Sequence, residues 1–142
     1  VSAYTIFRKP SAGRKQRDAL GNLGREMNEQ NLEPTSIFAG IPTHLPEELI
    51  ETLLGKPGLR IERIVSRGHR SREGYWYDQD SHEWVMLIQG AARLRFENGE
   101  IVPMSPGAFL EIPAHRRHRV DWTDPDQDTI WLAVHFKDSH QP

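Results

Sequence analysis

Glu83 and His118 are the two side chains of this 142-residue sequence whose type and setting could do chemistry together. Glu83 opens a strand-like segment, Glu83 to Gln89 (EWVMLIQ), that stops at Gly90. His118 ends a Pro113-x-His115-x-x-His118 run that follows Gly107 and a second strand-like segment, Ala108 to Ile112 (AFLEI). Alternate side chains of a strand share a face, so Glu83 sides with Val85, Leu87 and Gln89, and His118 with Val120 and Trp122. If Val85 and Leu87 line an interior, the carboxylate and the imidazole meet at its mouth. There they could hold a metal or divide acid and base duties. The plainer reading of Glu83 is a rim carboxylate paired with an arginine, for which Arg93, Arg95, Arg116, Arg117 and Arg119 are at hand in the sequence.

Further candidates follow from the same alternation. His135 shares a face with Trp131 and Ala133 in Thr129 to Phe136, and becomes a cavity group if that face turns inward. His115, just after Pro113, reads as a surface residue or a rim contact to ligand. Tyr77 alternates away from Trp76 and Asp78, which weakens it as a ligand contact. Trp122 would lie beside His118. His82, adjacent to Glu83, points to the opposite face, toward solvent or a subunit contact.

The elements that must position these residues are mostly short strands. Leu59 to Val65 has a period of two; Ala92 to Phe96, Glu100 to Val102, Arg116 to Trp122 and Thr129 to Phe136 follow. Asn98-Gly99 is a hairpin signal, because both residue types tolerate positive φ, and Pro106-Gly107 is another turn. Strands every eight to twelve residues joined by Gly, Pro and Asn turns predict an all-β sandwich or small barrel. One helix is expected before them, over Leu45 to Gly55: Pro46 suits the first helical position, Glu47 and Glu48 suit the positive end of the dipole, and Leu49, Ile50, Leu53 and Leu54 recur on one face.

Composition sets the remaining bounds. With 37% hydrophobic and 27% charged residues, the chain fits one globular domain with an appended segment. Residues 1–36, polar and without apolar periodicity, read as a flexible basic arm; 37–58 as the extended segment and helix; 59–137 as the β-barrel; 138–142 as a tail. Residues 1–26 carry a net charge of +4 and the remainder -6. An acidic body is a poor platform for nucleic acid, which is bound largely by phosphate neutralisation. No apolar run approaches a membrane span, and the absence of cysteine excludes disulfides and thiolate ligands. The expectation is a cytoplasmic protein that binds neither nucleic acid nor membrane.

The same residues resemble the cupin superfamily of jelly-roll, double-stranded β-helix barrels. Its first motif, HxH, four residues, E, six residues, G, is matched by Glu83 and Gly90, while Trp76 and Asp78 stand where the two histidines would be. Its second, G, five residues, P, x, G, two residues, H, three residues, N, is matched by Gly107, Pro113 and His118, with His115 in place of the second glycine and Trp122 in place of the asparagine. The resemblance spans about residues 59 to 136. It implies a small-molecule ligand, a homodimer and a divalent metal (manganese, iron, zinc or magnesium) on Asp78, Glu83 and His118. A set of one histidine and two carboxylates departs from the histidine-rich sites of dioxygen-activating members and suits harder ions. Trp76 would put an indole at the mouth to stack on a planar or sugar ligand. The resemblance also suggests Tyr77 as an acid partner for His118, a role that its alternation weakens. Two functions stay open: an enzyme using Glu83 and His118 on a small polar metabolite, or a domain that binds or senses a ligand without metal or turnover.

Overall fold

A computed structural model of the chain describes residues 32–139. The expected arm and tail fall largely outside them. Residues 32–40 belong to a separate unit; its described end is a turn in which Ser36 Oγ accepts the N–H of Phe38 at 3.1 Å and Ser36 O that of Ala39 at 3.1 Å.

Over residues 41–139 every element is a β-strand: β1 (Leu49–Lys56), β2 (Leu59–Ser66), β3 (His82–Gln89), β4 (Ala92–Phe96), β5 (Ile101–Met104), β6 (Phe109–Ile112), β7 (His118–Thr123) and β8 (Thr129–Phe136). They form two antiparallel sheets, one of five strands ordered β1-β2-β8-β3-β6 and one of three ordered β5-β4-β7. This is the all-β architecture that the strand spacing predicts, in the two-sheet jelly-roll form that the resemblance implies. The Asn98-Gly99 turn joins β4 to β5, with Gly99 at φ 89°.

The expected helix over Leu45 to Gly55 is absent; β1 occupies its second half. Lys56 pairs with Leu59 across Pro57-Gly58, with Gly58 at φ 72°, so this dipeptide turns the chain straight back and β1 runs alongside β2. A lone helix of that length would be marginal. In the strand, Glu51 instead forms an ion pair with Arg63 on the neighbouring strand (Nη2 to Oε2 2.5 Å), Arg63 being only 5% exposed. Glu48, expected to complement a helix dipole, accepts the Ser66 hydroxyl at 2.9 Å.

The core lies between the sheets. Val85 and Leu87 of β3, Trp131 and Ala133 of β8 and Ile112 of β6 face Leu94 and Phe96 of β4, all buried. Gly90 lets β3 turn into β4: it has φ 91°, and a Cβ there would fall 2.6 Å from Thr129 Cα. Only glycine meets both demands.

Candidate functional site

Strand register lays the polar residues of the interior side by side. Gly55 of β1, Arg60 of β2, His135 of β8, Glu83 of β3 and Ile112 of β6 are successive cross-strand partners and share the inner face of the five-stranded sheet. The next inner row is Glu62, Ala133, Val85 and Leu110. One end of the interior is therefore charged and the middle apolar.

His118 reaches Glu83 from the other sheet. It opens β7 opposite Phe96 of β4, and its backbone pairs with Tyr77 through N–H to O contacts of 2.7 and 3.2 Å. The Tyr77 ring stacks on the imidazole at 5.5 Å between centroids. His118 Nε2 lies 3.4 Å from Glu83 Oε2, and both residues are buried, at 6% and 9% exposure. The acid and the imidazole expected to meet at the mouth do approach each other, and they do so as buried side chains.

One proton can be placed. His118 Nδ1 lies 2.8 Å from the carbonyl of Arg116, which can only accept, so Nδ1 carries a proton. Nε2 is therefore the ring nitrogen turned toward Glu83. Burial pushes the Glu83 carboxyl up, but its contact with His118 and the charges of His135, His118 and Arg60 outweigh that, and it sits below the usual 4.5. The imidazole Nε2 thus faces a carboxyl group that favours its charged form. At 3.4 Å the contact is long, and Glu83 Oε2 is a buried oxygen without a hydrogen bond.

Beside this pair lies a second one. His135 Nε2 is 2.9 Å from Glu62 Oε1, with both side chains under a tenth exposed. Arg60 Nε approaches the same oxygen at 3.4 Å while the rest of its side chain, 43% exposed, runs out toward solvent. The face of Trp131, Ala133 and His135 is the inward one, so the condition under which His135 becomes a cavity group is met. Glu62 and Arg60 were not expected, because the apolar members of β2, Leu59, Ile61 and Val65, would ordinarily be read as the inward set. The available signal was Ile64, which alternates with Arg60 and Glu62. The arginine whose charge bears on Glu83 is thus Arg60, two strands away across His135, rather than any of the five near it in sequence.

The remaining candidates are distributed elsewhere. Asp78 is exposed and accepts from His115 Nδ1 at 2.8 Å, on a ring that is 68% exposed. His115 has φ 62°, the left-handed conformation expected where the motif has glycine. Trp76 lies under the guanidinium of Arg119, at 5.9 Å. Trp122 does not side with His118: β7 bulges between Val120 and Trp122, which puts Trp122 opposite exposed Arg93, whose guanidinium is 5.3 Å from its ring. The inserted residue, Asp121, reverses the alternation. His82 bonds Asp138 at 2.9 Å and accepts from the Ala114 N–H, away from the interior.

A metal on Asp78, Glu83 and His118 does not fit this arrangement. Asp78 is engaged by His115 at the surface, and among the described residues no three His, Asp or Glu side chains assemble into a metal-binding group. Nor is any helix among the described residues long and apolar enough to cross a membrane.

The comparisons with known proteins agree with this architecture. No curated protein matches the chain. A protein of Ralstonia eutropha JMP134, provisionally assigned as a mannose-6-phosphate isomerase, is 44% identical over 75% of this chain and all of its own, with a TM-score of 0.72. A cupin superfamily protein of Desulfitobacterium hafniense DCB-2 (17% identity, 69% of this chain and 84% of its own, TM-score 0.58) shares the fold. So does a conserved Streptococcus pyogenes protein of unknown function (15% identity, 78% and 91%, TM-score 0.62). A family model described as the cupin domain matches residues 66–135, the stretch that holds Glu83, His118 and His135, and on sequence and architecture alike the chain belongs to the cupin superfamily.

Proposed function

We propose that this cupin binds a small polar metabolite at the Glu83–His118 end of its interior and moves a proton on it. The observation that carries the reading is the buried, unbonded oxygen of Glu83 facing an imidazole that is itself held by the Arg116 carbonyl. A buried carboxylate oxygen without a donor is costly, and a ligand hydroxyl inserted there would relieve that cost.

Such a pair suits isomerisation of a hydroxycarbonyl compound. Glu83 takes a proton from the carbon next to the carbonyl while His118 Nε2 gives one to the carbonyl oxygen; the enediol formed is then reprotonated at the other carbon as the hydroxyl proton returns to His118. Atoms balance without an oxidant. The name of the Ralstonia relative, an aldose–ketose isomerase, points to the same reaction class. Incubation with mannose 6-phosphate or fructose 6-phosphate in D2O tests the reading, with proton NMR following hydrogen–deuterium exchange at C1 and C2. Exchange that falls at least about a hundredfold in both Glu83→Gln and His118→Gln is expected.

A second reading, a binding domain without turnover, is favoured by Trp76 and Asp78 standing where the family motif has histidines. Saturable binding of these sugars with no exchange would select it.

A further inference from the structure

Arg60 and Gly55 make a feature that the acid–base pair does not use. Arg60 is an inner-face residue, flanked by His135 on one side and Gly55 on the other. Its Nε is buried and makes no hydrogen bond, and Glu62 Oε1, 3.4 Å away, is already held by His135 at 2.9 Å. The guanidinium is thus only partly neutralised and extends to the mouth, 43% exposed. Gly55 leaves its flank open. Backbone geometry does not require that glycine: its φ is not left-handed, and a Cβ would meet only Thr52 Cγ2, at 3.8 Å. A glycine inside a strand weakens the strand and marks a bulge, a bend or a place where another group approaches; Gly55 directly follows the bulge between Thr52 and Leu54, and its flank is open to such an approach.

We propose that Arg60, with the side-chain-free notch at Gly55, is an oxyanion-recognition site at the mouth, so that the metabolite bound at Glu83 and His118 carries a phosphate or carboxylate group. This rests on the ligand reading above. The planar guanidinium presents a fork of N–H donors matched to two oxygens of such a group. With its anion on Arg60, a ligand lies across His135, and its reactive end falls at Glu83, two strands away on the same inner row.

The test is a titration of the 15N-labelled protein with inorganic phosphate and, separately, acetate. The arginine Nε–H resonances are followed, that of Arg60 being identified by its loss in Arg60→Gln, and the backbone amides of Gly55 and His135 report binding in the variants. Saturable shifts of the Arg60 resonance are expected, with affinity about tenfold or more weaker in Arg60→Gln. The tighter of the two anions names the group. Gly55→Val, which a strand accepts, should remain folded by circular dichroism and weaken binding by a similar factor. A linear, non-saturating response, or equal affinity in Arg60→Gln, overturns the site; unchanged affinity in Gly55→Val removes the notch from it. Glu83→Gln should keep the anion. Phosphate binding at Arg60 without sugar exchange would therefore refute the acid–base reading alone, and exchange with a silent Arg60 would refute this one alone.

Discussion

A double-mutant cycle on Glu83 and His118 measures the interaction on which the site depends. At 3.4 Å and an effective dielectric near 20, the attraction between a carboxylate and an imidazolium is about 5 kcal/mol. Taking both ions out of water costs several kcal/mol, so the pair is close to break-even against an apolar replacement, yet removing one member leaves the other uncompensated. Glu83→Gln and His118→Gln should each cost about 2 to 3 kcal/mol at pH 7, with a coupling energy of about 2 kcal/mol. Urea unfolding, followed by fluorescence of the four tryptophans, reads this as a midpoint shift of about 1 to 2 M. The pH dependence has a definite sign. Glu83 sits lower in the folded than in the unfolded chain, so its contribution is complete above the unfolded value of 4.5 and disappears as pH falls through the folded value. Coupling should therefore shrink toward zero below that point, while carboxylates elsewhere cancel in the cycle. A coupling under about 0.5 kcal/mol at pH 7, or one unchanged on acidification, would refute the ion-pair account.

Other perturbations have expected outcomes. Gly90→Ala must displace Thr129 backbone from a left-handed position and should cost more than about 3 kcal/mol, against about 1 to 2 for Gly107→Ala, which has the same hand but open space; thermal unfolding compares them. Trp122→Ala, on the outer face over Arg93, should leave sugar and phosphate binding unchanged while losing about 1 kcal/mol of stability. Protein purified without chelator should carry well under one equivalent of manganese, iron, zinc or magnesium by elemental analysis; a full equivalent lost in His118→Ala would restore the metal site. The expected homodimer would use the outer face of the five-stranded sheet, where Ile61, Val134, Trp84, Leu132, Met86 and exposed Phe109 adjoin. Leu132→Glu should halve the mass seen by light scattering, whereas a monomeric parent protein would remove the idea.

How much could be read from residues alone depended on how local the governing physics was. The strands over Ala92 to Phe96 and Thr129 to Phe136 have the predicted bounds, because alternation and flanking turns fix them within a few residues. Glu83 and His118 were legible for the same reason. The helix over Leu45 to Gly55 was misread because Pro57-Gly58 hands that segment to β2, and a long-range pairing overrides a short local preference. Glu62 and Arg60 were hidden because the container is charged inside and apolar outside at this end, which inverts the usual reading of β2. Trp122 was misassigned by one residue: no periodicity announces the bulge at Asp121.

The order of strands has a consequence for how the domain comes into being. β8, the last described strand in the chain, is the one that lies between β2 and β3, so those two have no common neighbour until it arrives. Closure of the large sheet must therefore wait for contacts between segments far apart along the polypeptide, which slows folding. Until then β2 and β3 expose unpaired edges, and a chain shortened before residue 129 would lose its central strand and be left prone to aggregate.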